Sequence, residues 1–300
     1  MPVIALITNP RSGKGRGAAA ADAAISALRD AGAEVRVRIG SSAADTRRLT
    51  ATALAERPDA IVVVGGDGTV SEILPDLTDA AVPLVLVPAG TGNDFARALG
   101  LPRRDPASAA LLALHGERRR IDVGEIVAGG RTTPFLTVAA LGFDAKVSDR
   151  TNLLRWPRGA ARYYLAILVE VVRLRPTRFR LACDGESPRE APGTLVAVGN
   201  TVSYGGGMPI CPDARPDDGL LDVVHVAPLG RARLLRLFPL LLRGRHLGRS
   251  EVAHRRVAEI TVSAPDLVVY ADGERVAETE CRIRVRPASL TVMVPNGGTA

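Results

Sequence analysis

Two neighbouring segments within residues 61–99 share one pattern, in which an apolar run leads into a glycine-rich loop and then into a helix-like stretch. Residues 61–64 precede Gly65-Gly66-Asp67-Gly68-Thr69, and residues 84–88 precede Ala89-Gly90-Thr91-Gly92-Asn93-Asp94. Unbroken Val, Leu and Ile runs are typical of parallel strands covered on both faces. Glycines beyond such strands let backbone N–H groups approach a phosphate, and the following helix N-terminus attracts it. The pattern predicts a crevice that binds a polyphosphate.

The chain before this pair of loops alternates in the same way. Residues 3–8 and 34–39 are predicted strands, and residues 18–31 and 44–55 are predicted helices. Residues 9–17 are polar, basic and glycine-rich, but they do not have the spacing of a Walker A loop, so they are either an anion loop or a flexible turn. Strands that alternate with helices predict a parallel sheet whose ligand lies beyond the carboxyl ends of the strands.

Asp67 is the residue of the first loop that most constrains its chemistry. A carboxylate among amides that face phosphates repels them unless a divalent cation lies between, which favours a magnesium–nucleotide complex. A tight turn that uses Asp and Gly for their backbone freedom is the alternative. In the second loop, Asn93 or Asp94 is expected to cap the next helix. Capping does not account for Thr91, whose hydroxyl could reach a phosphate.

After Asp122 the sequence pattern changes to short strand-like runs separated by turns. Residues 125–127 and 132–140 flank a predicted hairpin turn at 128–131. Further predicted strands include 179–183, 194–198, 220–226, 260–263, 267–270, 283–285 and 290–294. These runs predict a β-rich second domain.

The overall composition narrows the class of partner. A net charge of +7 is compatible with nucleic acid, an anionic membrane or an anionic substrate, but 3% aromatic residues are few for a protein that stacks nucleic-acid bases. The three cysteines are far apart, which indicates neither zinc nor disulfides and fits a reducing cytoplasm. Apolar runs are interrupted by charges before they reach spanning length, so any membrane contact is expected to be peripheral.

The two glycine motifs together, Gly65–Thr69 and Pro88–Arg97, resemble those of the diacylglycerol kinase catalytic-domain family, in its bacterial lipid kinase branch. The resemblance extends to Asn9-Pro10 and Ser12-Gly13-Lys14, and so to nearly the whole chain. It implies an α/β plus β architecture: a Rossmann-like, NAD kinase/phosphofructokinase-like nucleotide domain and a β-sandwich-type domain. The domains are expected at residues 1–123 and 124–287, with residues 288–300 returning to the first.

The resemblance also implies the roles of individual residues. Glu274, in the turn Asp272-Gly273-Glu274, is the expected general base, although Asp-Gly is also an ordinary hairpin turn. Asp67, Asp94 and Asp122 are expected to organise magnesium and its waters, although Asp122 could equally be a solvated residue at a strand start. The expected nucleotide contacts are Asn9, Ser12, Gly13, Lys14, Ser41, Gly65, Gly66, Asp67, Gly68, Thr69, Glu72, Gly90, Thr91 and Asn93. Ser41 stands where the family offers a threonine.

A second, structural magnesium is implied at residues 212–223, through the Asp218 carboxylate and the backbone carbonyls of Arg215 and Leu220. From the residues alone, Asp217-Asp218-Gly219 is a turn that feeds a strand. Residues 200–208 are expected to form a flexible loop. Residues 229–249 interleave leucine with arginine, which suits either a helix at a membrane surface or a helix packed on the second domain with its arginines solvated.

The predicted function is ATP- and magnesium-dependent phosphorylation of a hydroxyl of diacylglycerol or a related lipid, met at a membrane surface, by a cytoplasmic enzyme. The resemblance further suggests a homodimer, and no nucleic-acid partner is expected. Two alternatives stay open at this point. NAD kinases share the first glycine motif, and a non-catalytic nucleotide or lipid sensor could use the same fold.

Overall fold

The structure of the chain is a computed structural model that describes residues 1–9, 15–154, 156–157 and 160–297. The elements of the first half are β1 (Val3–Thr8), α1 (Arg16–Asp30), β2 (Glu34–Ile39), α2 (Ala43–Ala55), β3 (Ala60–Gly65), α3 (Asp67–Leu77), β4 (Leu84–Pro88), α4 (Asp94–Ala98) and α5 (Pro106–His115).

The second half contains more strands than helices. Its elements are β5 (Glu117–Ala128), β6 (Arg131–Phe135), β7 (Val138–Gly142), α6 (Phe143–Leu153), α7 (Ala160–Val172), β8 (Thr177–Cys183), β9 (Arg189–Gly193), β10 (Leu195–Gly199), β11 (Leu221–Val226), α8 (Arg231–Leu241), β12 (Val252–Val257), β13 (Glu259–Ser263), β14 (Val269–Ala271), β15 (Glu274–Ala277) and β16 (Cys281–Val294).

The first half is built on a parallel sheet with strand order β2-β1-β3-β4. Every residue of β3 is buried, because helices cover both faces of the sheet. Ile61 and Val63 face a core shared with α2 and α3, whereas Val62 and Val64 face α1 and α5. This alternation follows from the twofold side-chain period of a strand. The predicted parallel sheet, with its glycine loops at one edge, is present.

The sheet does not stop at β4 but continues into the second half through β16. Val292 of β16 pairs in parallel with Leu84, and β16 then runs antiparallel to β5 along nearly its whole length. Beyond β16 the sheet continues through β13, β8 and β9, while β6 pairs with β5. The predicted domain boundary at residues 123 and 124 therefore falls inside the continuous strand β5, and the final residues of β16 lie beside the parallel strands.

A second, antiparallel sheet has the order β12-β11-β10-β7-β14-β15. Val196 and Val198 of β10 point towards the first sheet, where they join a core that contains Phe135 and Phe179. Leu195 and Ala197 point the other way and pack under α6, α7 and α8. The second half is thus the predicted β-sandwich, and helices cover one of its outer faces.

The predicted strand at residues 132–140 is wrong as a single element. It splits into β6 in the first sheet and β7 in the second. The break occurs because the backbone N–H groups of Leu136 and Thr137 donate to the Asp272 carboxylate, at 2.8 and 2.9 Å, rather than to a strand. Residues 136 and 137 are therefore a corner between the two sheets.

Residues 231–241 of the arginine- and leucine-rich segment form α8, which continues through Pro239. Leu234 is buried against the second sheet, whereas Arg231, Arg233 and Arg236 are exposed. Within the described part of the chain, no helix combines the length and the hydrophobicity needed to cross a bilayer.

Candidate active site

The two glycine loops lie against each other at the carboxyl edge of the parallel sheet. A Cβ atom added to Gly66 would lie 2.8 Å from the Cα of Gly90, and one added to Gly90 would lie 2.6 Å from the Cα of Gly66. These separations are too short for any side chain, so both positions require glycine. The Ala89 N–H donates to the Gly65 carbonyl at 2.8 Å and fixes the loops side by side.

Asp67 is the first residue of α3, and its carboxylate reaches across to the second loop. It accepts hydrogen bonds from the N–H groups of Asp94 and Phe95, both at 3.1 Å. Asp67 therefore caps α4, and the expectation that Asn93 or Asp94 caps this helix is wrong. Asn93 has a left-handed backbone with φ of 51°, and its side chain donates instead to the Gly90 carbonyl.

Asp94 is buried, and its carboxylate is held by the second half of the chain. Its Oδ2 accepts from the Gly206 N–H at 2.7 Å, and its Oδ1 accepts from the Ser203 hydroxyl at 3.3 Å. A Cβ added to Gly92 would lie 3.1 Å from Asp67 Oδ2 and 3.4 Å from Asp94 Oδ2. The two carboxylates therefore converge on the same glycine.

The charge of this carboxylate pair is only partly compensated. Arg97 Nε lies 3.6 Å from Asp94 Oδ1. Burial raises the pKa of Asp67 above its usual range, the N–H groups of Phe95 and Asp94 oppose the shift, and the Asp94 charge adds to it. Oxygen donors with excess negative charge fit a hard divalent cation. The described residues contain no group of three potential metal-ligating side chains, so a cation here needs phosphate or water oxygens as well.

Glu274 follows a two-residue turn between β14 and β15. Asp272 has φ of 49° and Gly273 has φ of 87°, which are the left-handed conformations that a tight hairpin requires. The Glu274 side chain is exposed and makes no hydrogen bond or ion pair with another described residue. It is therefore available to accept a proton.

Asp272, which the sequence reasoning treated only as a turn residue, anchors this hairpin. Its carboxylate accepts from the N–H groups of Leu136 and Thr137 and from the Thr137 hydroxyl, the last at 2.5 Å. Burial raises the pKa of Asp272, and the charge of Asp67 contributes to the shift in the same direction. Asp272 therefore fixes the hairpin that carries Glu274 to the corner between the two sheets.

Asp122 is buried in β5, and both of its carboxylate oxygens are occupied. They accept from the N–H groups of Ala288 and Gly219, each at 2.7 Å. The register of β16 shifts between Arg286 and Leu290, so Asp122 holds the resulting bulge. Among the described residues, no hydrogen bond joins the Asp122 side chain to Asp67 or Asp94, and its role in the magnesium network stays a prediction.

The structure places the three residues of the predicted structural metal site in the loop that precedes β11. The Asp218 carboxylate accepts from the Leu220 N–H at 3.0 Å and pairs with Arg256, while Arg215 is exposed. In this arrangement the turn is closed by protein contacts. The metal-binding role of Asp218, Arg215 and Leu220 stays a prediction.

The remaining predicted nucleotide contacts are spread around the glycine loops. Ser12, Gly13 and Lys14 lie outside the described residues, and Asn9 is the last described residue before them. Thr91 and Gly68 are exposed, Thr69 packs against Gly65, and Glu72 is half-buried on α3. Ser41 donates its N–H and its hydroxyl to Asp45 at the start of α2, at 2.9 and 3.0 Å. Its hydroxyl is thus already engaged.

Asp144, in the first turn of α6, is a buried carboxylate that the sequence reasoning missed. Its Oδ2 is buried and has no hydrogen-bond partner among the described residues. Burial raises the pKa of Asp144 from its ordinary 3.8 to about 6. Because the folded protein holds this proton to a higher pH than the unfolded chain does, stability falls between about pH 4 and pH 6.

The variant Asp144→Asn removes this titration. Two pKa units correspond to roughly 3 kcal/mol, so the stability of the variant relative to the wild type is expected to rise by about that much from pH 4 to pH 7. Urea denaturation at several pH values measures the difference. Asp149→Asn, on the same helix but with its side chain 35% exposed, is the control and should show a smaller change. If the difference in stability between the variant and the wild type were the same at every pH, the raised pKa of Asp144 would be contradicted.

Two protein families match consecutive parts of the chain. The diacylglycerol kinase catalytic domain matches residues 3–126, and the YegS C-terminal NAD kinase beta sandwich-like domain matches residues 137–294. The two matched ranges cover the glycine loops and the sandwich that carries Glu274.

Curated relatives match along nearly the whole chain. A diacylglycerol kinase of Mycobacterium tuberculosis is 45% identical over 296 residues, covering 98% of this chain and 96% of that protein. A YegS-like lipid kinase of Pseudomonas aeruginosa is 36% identical over 289 residues, covering 95% and 93%. A diacylglycerol kinase of Bacillus subtilis is 30% identical over 280 residues, covering 90% and 88%.

Solved structures share the fold. A diacylglycerol kinase structure from Bacillus anthracis superposes with a TM-score of 0.74 at 22% identity, covering 99% of this chain and 98% of that one. An NAD kinase from Archaeoglobus fulgidus, solved with ATP, gives a TM-score of 0.55 at 16% identity over 98% and 94%. These matches confirm the predicted fold class. From the family matches and the identity to its relatives, the chain belongs to the diacylglycerol kinase family and is a lipid kinase.

Proposed function

We propose that this lipid kinase transfers the γ-phosphate of ATP, bound with magnesium, to the hydroxyl of diacylglycerol or a related lipid. The observation that carries the proposal is the convergence of Asp67 and Asp94 beside two glycine loops. Glu274 is exposed on the hairpin that Asp272 anchors to Leu136 and Thr137. Carboxylates for a cation, amides for phosphates and a free carboxylate for a proton are the groups that phosphoryl transfer needs.

The nucleotide phosphates would lie along the touching glycine loops, where backbone N–H groups and the N-terminus of α3 favour negative charge. Asp67 and Asp94 would hold magnesium, which neutralises the charge that develops on the phosphate oxygens. Both carboxylates are already oriented, Asp67 by two amides and Asp94 by Gly206 and Ser203. Little reorganisation would therefore be needed on binding.

Glu274 would accept the proton of the lipid hydroxyl as that oxygen bonds to the γ-phosphorus. The bond between the γ-phosphorus and the β,γ-bridging oxygen breaks, and ADP leaves with the bond's electron pair. Asp272 contributes by fixing the hairpin to Leu136 and Thr137, so that the position of Glu274 is set by backbone contacts. The two acids of the turn therefore divide positioning and proton transfer between them.

A lipid acceptor has to be reached at a membrane surface, so we infer peripheral contact with one. The arginines of α8 are exposed beside Leu235 and Leu242, which are 56% and 51% exposed. Trp156 is 78% exposed and Leu153 is 75% exposed at the end of α6. Apolar and basic side chains together favour anionic lipid surfaces.

A panel of acceptors tests the proposal. The protein is incubated with ATP labelled on the γ-phosphate, magnesium and mixed micelles that contain an anionic phospholipid and one acceptor each. Diacylglycerol, phosphatidylglycerol, a sphingoid base and undecaprenol are compared, with NAD as a water-soluble acceptor. We expect label in diacylglycerol or a related lipid and none in NAD. Label in NAD alone, or ATP binding without transfer to any acceptor, would overturn the proposal.

A further inference from the structure

The strand that begins at Glu274 has little support from its own sheet. β15 has four residues and lies at the edge of the second sheet, where β14 is its only paired neighbour among the described strands. β14 has only three residues, and the register between the two strands shifts between Val269 and Tyr270. Segments that few contacts hold open locally more easily than central strands do. Backbone pairing alone therefore restrains Glu274 weakly.

Tyr270 of β14 joins this hairpin to α6. Its side chain is buried with Ala140 of β7 and Ala145 of α6. Its hydroxyl donates a hydrogen bond at 2.9 Å to Oδ1 of Asp149, which lies one turn further along α6. Burial raises the pKa of Tyr270, and the bond to Asp149 raises it further, so the hydroxyl keeps its proton and remains a donor. A hydrogen bond to a carboxylate is stronger than one between neutral groups.

Asp149 also lies close to the second strand of the hairpin. Tyr270 pairs with Arg275, and residues opposite one another in an antiparallel pair lie on the same face of the sheet. Arg275 Nη1 accordingly lies 4.0 Å from the Asp149 oxygen that Tyr270 binds. One carboxylate of α6 therefore lies beside both β14 and β15.

Glu274 lies on the other face of the hairpin. It pairs with Ala271, whose side chain belongs to the core between the two sheets. Because successive residues of a strand alternate between the two faces, Glu274 points away from α6 while its neighbour Arg275 points towards it. Asp149 therefore influences Glu274 through the backbone of the hairpin rather than by direct contact.

Helix α6 has anchors of its own, so it can support the hairpin. Val147 packs in the core between the second sheet and its helices. Arg150, the residue after Asp149, forms an ion pair with the buried Glu170 of α7. Breaking a buried ion pair is costly, because it leaves one charge without a partner. The position of Asp149 is therefore set by contacts that do not involve the hairpin.

We propose that Asp149 and Tyr270 are positioning residues that hold the Glu274 hairpin against α6, as a second anchor in addition to Asp272. The catalytic consequence rests on the proposed function, in which Glu274 is the base. The physical part, that the bond between Tyr270 and Asp149 restrains β14 and β15, does not depend on that function. A displacement of about 1 Å in a catalytic group can lower a rate by about a hundredfold, so a loosened hairpin lowers kcat.

The first measurement is amide hydrogen exchange of the whole chain, followed by mass spectrometry of peptides that span β14 and β15. Tyr270→Phe keeps the ring and removes the hydroxyl, and we expect these peptides to exchange at least about tenfold faster. Thr151→Val is the matched control, because it removes a hydroxyl that donates to the Val147 carbonyl within α6 at 2.7 Å. The control should leave exchange in the hairpin unchanged.

The second measurement is steady-state kinetics with the lipid acceptor. Tyr270→Phe and Asp149→Ala are each expected to lower kcat by about tenfold while KM for ATP changes by less than about twofold, because only the position of the base is loosened. Asp149→Asn keeps an oxygen acceptor for Tyr270 and should retain most of kcat. Tyr270→Phe combined with Asp149→Ala should be about as active as either single variant, since both substitutions remove the same bond.

The same substitution in a Glu274→Gln background tests whether the effect passes through the base. With the base already removed, Tyr270→Phe should change the remaining kcat by less than about twofold. A further tenfold loss in that background, at about the size seen in the wild type, would show that Tyr270 acts independently of Glu274 and would overturn its positioning role.

The outcomes distinguish this inference from the proposed function. Faster hairpin exchange in Tyr270→Phe, with a wild type that phosphorylates no lipid, would overturn the proposed function and support the anchoring. With an active wild type, unchanged hairpin exchange or unchanged kcat in Tyr270→Phe would overturn the positioning role. If Tyr270→Phe does not fold, Asp149→Ala replaces it, since the Asp149 side chain is 35% exposed, and wild-type kcat in that variant would have the same meaning.

Discussion

Replacing Glu274 with glutamine is expected to lower kcat for phosphate transfer to lipid by about a thousandfold, because a positioned general base contributes roughly 10²- to 10⁴-fold. Glutamine has the same shape as glutamate but cannot take the proton of the attacking hydroxyl. Because the Glu274 side chain is exposed and makes no described contact, the substitution should leave the fold intact. Label transfer from ATP to diacylglycerol in mixed micelles, followed under saturating ATP, measures kcat.

Glu278→Gln provides the control for this experiment. Glu278 lies four residues further along, its side chain is 65% exposed, and it pairs with Arg275 at 3.3 Å. An exposed ion pair of this kind contributes little to stability, so the control should keep wild-type turnover. If Glu274→Gln also turned over at the wild-type rate, the assignment of the general base would have to be abandoned.

The second large effect is expected from Asp67→Asn, with a loss of about a hundredfold in kcat/KM. The amide removes a negative oxygen from the pair that converges on Gly92, and so weakens the proposed magnesium site. It also leaves one of the two capping bonds to α4 without an acceptor, which costs about 1 kcal/mol of stability. Initial rates measured against magnesium concentration should show a higher magnesium requirement in the variant, and thermal unfolding reports the cost of the lost cap.

Asp76→Asn is the matched substitution near the other end of α3. Asp76 pairs with Arg47 at 3.6 Å and lies away from the glycine loops. We expect it to leave the magnesium dependence unchanged. A variant of Asp67 with the wild-type magnesium requirement and wild-type kcat/KM would remove this residue from the site.

The placement of the glycine loops could be predicted because it depends on local pattern. Buried apolar runs indicate parallel strands, and the carboxyl ends of adjacent parallel strands lie at one edge. The capping role of Asp67 could not be predicted in this way. Its partners, the N–H groups of Asp94 and Phe95, lie at the start of α4, more than 25 residues later. The conventional cap position of that helix is occupied by Asn93, which is itself a common capping residue. Only the left-handed backbone of Asn93 takes its side chain away from that position.

The split of residues 132–140 and the anchoring of the Glu274 hairpin have the same origin. Both depend on the Asp272 carboxylate, which lies about 135 residues away in sequence from the amides that it binds. Nothing in the apolar pattern of residues 132–140 indicates the corner between the two sheets at residues 136 and 137. Asp144 was missed for a related reason, because an acidic residue in the first turn of a helix indicates only an ordinary interaction with the helix dipole. Its burial is produced by tertiary packing, which the local sequence pattern does not show.

The continuity of β5 and β16 limits how the protein can be divided. Both strands cross from the parallel strands into the sandwich, and they pair with each other over ten residue positions. A fragment that ends near residue 126, where the first family match stops, would lack β16 and leave β4 with an open edge. The two halves of this lipid kinase match two different families, but they are not separable as independently produced proteins.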